Sequence, residues 1–477
     1  MNKILVALAA LLSIPALGSD NCKDLSAEAS LSFDADTLLT TTLLLITKSD
    51  IRVLSELALT DLMTLSGSKA REELLTGETQ ARLLEVLQLK LGTEKFQRIL
   101  GESALSVTQI VRQRDRDKRS DNEDSKDMLR GWGTLLLPEN DRAFSDPMYL
   151  INLLRVSGQT GSNFVGRDLV GAKSMFQEAW RKNAGGTSTP EIFVTTGSDA
   201  NSLVFDIARG KKGSEAKVLM VGGMYVGTRG EAANAKNDSS LKIDPPAVKD
   251  FSEAELNDPK NLEKVSRALS NVEAKFSNPD LKIGAILIET IFSNPNPELG
   301  ALHPAFVKGL RELCDRFRVP LVADEIMTGG GRTGKFFAYQ HYENFQPDAI
   351  TFGKGMQIGG IAVVHRQDGP KMIHGLKDGT TMGAQLEPLL KGAQVLNRIH
   401  EDGLVENAAQ TGAYLLERLR DIKFQKRGTR DQVYGFGLLI KNPPFEIDVM
   451  QHYNRLLPPV SIAKSDVDRI FPLPLPK

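Results

Sequence analysis

From about residue 129 the sequence alternates short apolar runs with amphipathic helical stretches, and this pattern constrains the fold more than any other feature. Ile192-Phe193-Val194 precedes a helical pattern over 200–209, which is followed by Val218-Leu219-Met220-Val221. Further on come Ala285-Ile286-Leu287-Ile288, a helical pattern over 305–317, Pro320-Leu321-Val322-Ala323 and Ala349-Ile350-Thr351-Phe352. Repeated strand, helix, strand units predict an α/β fold, a mainly parallel sheet with helices on both faces. In such sheets ligands sit beyond the C-terminal ends of the strands, so residues at those ends are read for function first.

The first part of the chain is different. Residues 25–110 follow a helical period, with Leu83, Leu84, Leu87 and Leu91 on one face and Gly77 and Gly92 as breaks. Residues 112–127 are a mixed-charge run without an apolar side chain, which reads as a solvated linker. At the start, Lys3, the apolar run 4–14 and Ala16-Leu17-Gly18 fit a secretory signal peptide. The expected organisation is therefore a signal peptide over 1–18, a helical N-terminal region over 19–111 and a charged linker over 112–128. A large domain over 129–385 and a small C-terminal domain over 386–477 follow. The mature protein is expected to be exported, to the periplasm or the medium. Lys+Arg number 59 against Asp+Glu 60, a balance that gives no reason to expect nucleic acid as a partner. Two cysteines, Cys22 and Cys314, exclude a disulfide scaffold, and the histidines show no ligand spacing for a metal.

Four segments could carry chemistry. Thr196-Gly197-Ser198-Asp199-Ala200-Asn201 lies between a strand and a helix, where free amides and the helix dipole favour an anion; a plain N-cap at Ser198 or Asp199 is the simpler alternative. Val322-Ala323-Asp324-Glu325 ends a strand with two carboxylates. Residues 329–336 (GGGRTGKF) nearly spell a nucleotide phosphate loop, but Phe336 replaces the hydroxyl residue that would hold Mg²⁺. Lys354 follows the strand-like run 348–353. An amine and a carboxylate at two strand ends are what a pyridoxal phosphate enzyme requires. The first forms a Schiff base and the second holds the ring nitrogen protonated, as an electron sink.

Taken together, these segments resemble the class III pyridoxal phosphate-dependent aminotransferases of fold type I. The strongest match is LVADEIMTGGGRTGKFFAYQHYENFQPDAITFGKGM, residues 321–356, with support from TTGSDANSLVFDIAR (195–209), MYVG (224–227), ILIET (286–290), TTMGAQ (380–385), VYGFG (433–437) and RLLPPVSI (455–462). The resemblance covers roughly 185–463 and implies a small C-terminal α+β domain after the large one. It implies pyridoxal 5′-phosphate as cofactor, with Lys354 as the Schiff-base lysine and proton shuttle and Asp324 on the ring nitrogen. Gly197 and Ser198 would bind the phosphate, Tyr225 would stack on the ring, and Glu289 would stand near the cofactor. Family members are similar in being homodimers with shared sites, so Thr381 would reach the phosphate of the neighbouring subunit.

The departures from the family pattern fall on the substrate side. Tyr434 stands where an arginine before Gly-x-Gly is usual, and Asn294 stands where a gating glutamate is common. Losing both members of an ion pair is coherent, since either charge left alone is costly to bury. Ordinary recognition of an α-carboxylate at position 434 is therefore not expected. Val226 and Thr290 also depart from the pattern, the segment between Gly437 and Pro458 is short, and Met327, Asn294 and Asn296 resemble glutamate-1-semialdehyde aminomutases. The leading expectation is transfer of an amino group between an amine or amino acid and a carbonyl compound. An aminomutase, and a non-catalytic use of the fold for binding or assembly, are the alternatives.

Overall fold

The computed structural model describes residues 167–235, 237–366, 385–427, 433–441 and 455–471, with the separate positions 136, 137, 141, 143, 373 and 443. Residues 120–139 and 163–477 make one compact unit; the other, 1–119 with 140–162, lies outside the described residues save Asp141 and Ala143. The expected signal peptide, helical N-terminal region and charged linker, and Thr381, thus lie outside the described residues.

In chain order the unit begins with α1 (Arg167–Ala184), β1 (Ser188–Val194), α2 (Gly197–Lys212), β2 (Lys217–Val221), α3 (Gly230–Ala235), β3 (Lys242–Ile243) and β4 (Ala247–Val248). It continues with α4 (Glu253–Leu256), α5 (Pro259–Ser277), β5 (Ile283–Ile288), β6 (Ala301–Leu302), α6 (Pro304–Phe317), β7 (Leu321–Asp324), β8 (Ala349–Phe352) and β9 (Gly359–Val364). After α7 (Leu386–Glu401) and α8 (Leu404–Arg427) come β10 (Tyr434–Phe436), β11 (Leu439–Lys441), β12 (Arg455–Leu456) and α9 (Lys464–Ile470).

Seven strands form one sheet in the order β1-β9-β8-β7-β5-β2-β3. Neighbours from β8 to β3 are parallel, and β9 runs antiparallel to both β1 and β8. Every residue of β5, β7 and β8 is buried, as central strands covered on both faces require. The mainly parallel sheet expected from the sequence is present. The reversed β9 was not anticipated, because it opens on Gly359-Gly360, a pair that weakens any strand pattern.

Local signals set the helix starts. His303 caps α6, its Nδ1 accepting the Ala305 N–H at 3.1 Å, and Pro304 takes the first helical position. Asp258 and Pro259 do the same for α5. Beneath α1 lies an aromatic cluster in which the Phe352 ring stands 4.9 Å from Trp180, 5.9 Å from Phe176 and 6.1 Å from Phe193. Phe352 ends β8, so this packing fixes the backbone two residues before Lys354.

The N-terminal edge of the same strands is pinned by charge. Asp348 accepts from Arg311 and Arg366, each at 2.9 Å, and from the Leu321 N–H at 2.8 Å, while Arg366 also pairs with Asp315. Separately, β10, β11 and β12 form a small antiparallel sheet in which Tyr434 opposes Lys441 and Lys441 opposes Arg455.

Candidate functional site

Strands β5, β7 and β8 deliver three ionisable residues to the C-terminal edge of the sheet. Asp324 ends β7, Glu289 directly follows β5, and Lys354 comes two residues after β8. The Asp324 carboxylate is held at both oxygens: Oδ1 accepts the Ile326 N–H at 3.0 Å, and Oδ2 accepts Asn201 Nδ2 at 2.8 Å. Thr351 Oγ1 donates to Asn201 Oδ1 at 2.8 Å, so both ends of the amide are fixed. Burial, reinforced by the nearby Glu289 charge, pushes the Asp324 carboxyl up to about 7. A cationic N–H donor placed against it would reverse that shift by stabilising the anion.

Lys354 adopts a left-handed backbone, φ 45°, at the start of a 3₁₀ turn over Lys354–Met356. That conformation costs a non-glycine residue about 1–3 kcal/mol and is tolerated where the surroundings impose it. Its Nζ stands 5.2 Å from the centroid of the Tyr225 ring. Burial lowers the ammonium below its ordinary pKa; Asp324 and Glu289 partly restore it, while Arg455 and Arg332 lower it further. Tyr225 is 50% exposed, so its ring stands outside the core, beneath the Lys354 amine.

At the start of α2 the cap is Thr196, not Ser198 or Asp199. Thr196 Oγ1 accepts the Asp199 N–H at 3.2 Å, and Asp199 Oδ2 accepts the Thr196 N–H at 3.1 Å, a reciprocal capping box. The helix thereby leaves the Gly197 and Ser198 amides at its positive end for an anion. Ser198 is seated against Gly227, which has φ +106°; a Cβ there would lie 2.3 Å from Ser198 Oγ.

The second carboxylate of the pair, Glu325, has a structural occupation. Its Oε1 accepts the Tyr339 N–H at 2.9 Å, and its Oε2 accepts the Ala338 N–H at 2.9 Å and Thr328 Oγ1 at 2.5 Å. The glycine-rich loop also spends its amides internally, Gly330 and Gly331 donating to the Phe336 carbonyl at 2.9 and 3.2 Å. It offers no cradle to a nucleotide.

Glu289 is buried. Its Oε1 accepts the Ser293 N–H at 2.9 Å, while Oε2 has no hydrogen-bond partner among the described residues. Burial raises its pKa, against the pull of the Ser293 hydrogen bonds and of Lys441 and Lys354. Asn294 donates through its amide to the Gly223 carbonyl and accepts the Asn296 N–H at 2.9 Å. Tyr434 is buried and donates to the Pro297 carbonyl. The region around position 434 nonetheless carries positive charge, because strand pairing brings Lys441 and Arg455 alongside it. Neither was found from the sequence, nor were Asn201 and Thr351. Asn201, Thr351 and Arg455 lay within segments named from the sequence, and the meeting of Lys441 with Arg455 depends on strand register.

The sequence profile of the family described as aminotransferase class-III matches residues 174–456, more than half of the chain. The chain belongs to the class III aminotransferases. An acetylornithine aminotransferase of Archaeoglobus fulgidus is 28% identical over 299 residues, 58% of this chain and 72% of that protein. An acetylornithine aminotransferase of Streptococcus mutans is 27% identical over 319 residues, 62% of this chain and 78% of that protein. Among solved structures, the lysine aminotransferase of M. tuberculosis superposes with a TM-score of 0.60 at 22% identity, covering 72% of this chain and 87% of its own. That structural likeness establishes the fold of a type I transaminase.

Class III aminotransferases work with pyridoxal 5′-phosphate, and the described residues fit that group. A buried carboxylate held at both oxygens waits for a cationic donor at Asp324. A half-exposed ring stands at Tyr225 beneath an amine, and the amide pair at Gly197 and Ser198 is suited to a phosphate.

Proposed function

We propose that this class III aminotransferase transfers an amino group between an amine or amino acid and a carbonyl compound through Lys354, Asp324 and Tyr225. The convergence of a buried amine and a buried, doubly oriented carboxylate at adjacent strand ends carries the reading. When bound, pyridoxal phosphate supplies an electron sink for the pair released as a proton leaves the amine-bearing carbon of the substrate. Asp324 would hold the ring nitrogen, Gly197 and Ser198 the phosphate, and Tyr225 one face of the ring. Asn201, tied to Thr351, prevents the Asp324 carboxylate from rotating away.

Lys354 does the proton work. Because burial lowers its pKa, Nζ reaches the free-amine form more readily than an exposed lysine, and a free amine can both attack a carbonyl and take a proton. Glu289 stands close enough to Lys354 to favour the protonated form, so the same amine can return what it takes. Arg455, which lies within electrostatic reach of Lys354, marks the substrate side of the site.

The same proposal includes a homodimer, in which Thr381 reaches the partner's phosphate site, and export, which rests on the sequence pattern of residues 1–18. Sedimentation of the cofactor-loaded protein and cell fractionation test these two parts.

Borohydride reduction of the cofactor-loaded protein should tag the peptide that contains Lys354, and amine donors should convert bound cofactor to its aminated form. A protein that stays colourless and untagged after incubation with the cofactor would rule the proposal out.

A further inference from the structure

Tyr225 stands on a segment that belongs to no strand or helix. β2 ends at Val221 and α3 begins at Gly230, and the chain between them passes through Gly223 at φ 82° and Gly227 at φ 106°. Glycines at such angles leave the backbone permissive, so the place of the Tyr225 ring depends on what grips the carbonyls around it. Two asparagines do this, one on each side. Asn294 Nδ2 donates to the Gly223 carbonyl, two residues before Tyr225. Asn201 Nδ2 reaches the Val226 carbonyl, one residue after it, at 3.4 Å, but the same nitrogen already donates to Asp324 at 2.8 Å. The longer of two shared contacts is the weaker, so the grip at Gly223 carries most of the restraint.

Asn294 is itself firmly held. Its Oδ1 accepts the Asn296 N–H at 2.9 Å, and its backbone carbonyl accepts Lys441 Nζ from β11. Tyr434 of β10 donates to the Pro297 carbonyl of the same turn, and the turn begins at Ser293, whose N–H donates to Glu289 at 2.9 Å. Leu299, at the far end of the turn, lies against Gly223, where an added Cβ would stand 2.5 Å from Leu299 Cδ1. The turn is thus fastened to both the sheet edge and the small sheet, and the Asn294 amide carries that anchorage to the Tyr225 segment. The position requires an amide, because its nitrogen faces a carbonyl oxygen while its oxygen faces an N–H. A carboxylate would turn lone pairs against the Gly223 carbonyl, which gives a physical reason for asparagine where a gating glutamate is common in the family.

We propose that Asn294 is a positioning residue of the amino-transfer site, which fixes the Tyr225 segment, and with it the stacking ring beneath Lys354, against the turn that the small sheet holds. This rests on the amino-transfer reading of the site, in which the cofactor ring lies on Tyr225. Asn294 acts through Tyr225: its amide is spent on the Gly223 carbonyl and the Asn296 N–H. Without the donor, the glycine-flanked segment gains conformations in which the Tyr225 ring leaves its place 5.2 Å from Lys354 Nζ.

The test titrates the full chain with pyridoxal 5′-phosphate and follows the visible absorbance and circular dichroism of the bound group. Asn294→Asp removes the donor and keeps the acceptor, while Asn294→Ala removes both and adds no charge. Each should raise the cofactor dissociation constant about 3- to 10-fold and weaken the visible dichroism. In a Tyr225→Leu background the same substitutions should change that constant by less than about twofold, because the residue they act through is gone. Amide hydrogen exchange of the cofactor-free protein should quicken over 223–226 in both variants and stay as in the wild type over 349–356. A loss in Asn294→Asp without one in Asn294→Ala would trace to the added charge and overturn the assignment, as would equal losses with and without Tyr225. If the wild type binds no cofactor, the amino-transfer reading fails by itself. Hydrogen exchange then still decides whether Asn294 holds the segment, and unchanged exchange over 223–226 overturns it.

Discussion

Asp324 is a carboxyl group that burial holds protonated well above its ordinary range. Its ordinary pKa is 3.8, and burial raises it to about 7. The folded, cofactor-free protein therefore keeps a proton that the unfolded chain gives up at lower pH. Stability from this group is complete below about 4 and is lost as pH rises toward about 7, since the native state binds more protons throughout that window. Glu325, also raised to about 7 by burial, adds to the same slope. The melting temperature of cofactor-free protein should thus fall between pH 5 and pH 8, and Asp324→Asn should fall less. Adding the cofactor should flatten the wild-type curve at the alkaline end, because a cationic ring nitrogen gives the anion its partner. Equal slopes for wild type and Asp324→Asn, measured by calorimetric scans, would contradict this account. Asp324 and Lys354 were legible in the sequence because each ends or follows a run that reads as a strand by itself. Asn201 could not be paired with Asp324 in that way, because their hydrogen bond spans 123 positions and depends on how α2 lies against β7.

At the scale of elements, legibility follows length. The buried strands β5, β7 and β8 and the helix α6 stand out as apolar runs or as a helical period, and their observed bounds differ little from the expected ones. Strands β10, β11 and β12 have three, three and two residues, too few for any period to show. Their pairing brings Lys441 and Arg455 alongside Tyr434, which a reading based on position 434 alone does not show. The small sheet is seated by close backbone contact. A Cβ on Gly412, within α8, would lie 2.2 Å from the Gly437 carbonyl oxygen in the β10–β11 turn, and the neighbouring Leu438 N–H donates to the Arg332 carbonyl at 2.8 Å. The obstacle is backbone and cannot rotate aside. Gly412→Ala should therefore cost about 1–3 kcal/mol by denaturant titration, even though alanine is the better helix former. It should leave cofactor affinity nearly unchanged, since the contact supports the small sheet and not Asp324. A matching loss of cofactor affinity would show that the small sheet and the Asp324 edge are not independent.

Across the whole sheet, chemistry and stability occupy opposite edges. Lys354 and Asp348 flank the same strand, β8, and the five residues of extended chain between them set them roughly 20 Å apart. At the Lys354 end, among the described residues, Glu289 Oε2 has no hydrogen-bond partner. At the Asp348 end two arginines, Arg311 and Arg366, and the Leu321 amide saturate one carboxylate, and Asp315 completes the network by pairing with both arginines. The network joins α6, the start of β8 and the segment after β9, elements far apart in the chain. Removing its central charge leaves two largely buried guanidinium groups short of an anion, so Asp348→Asn should destabilise the protein by about 3–5 kcal/mol in urea titrations. Because the lost charge lies a full strand length from Lys354, the fraction that stays folded should keep the wild-type cofactor spectrum, KM and kcat. A variant that unfolds earlier yet reacts normally when folded is the expected result. A change in KM at full folding would mean that strand β8 transmits strain from one edge to the other.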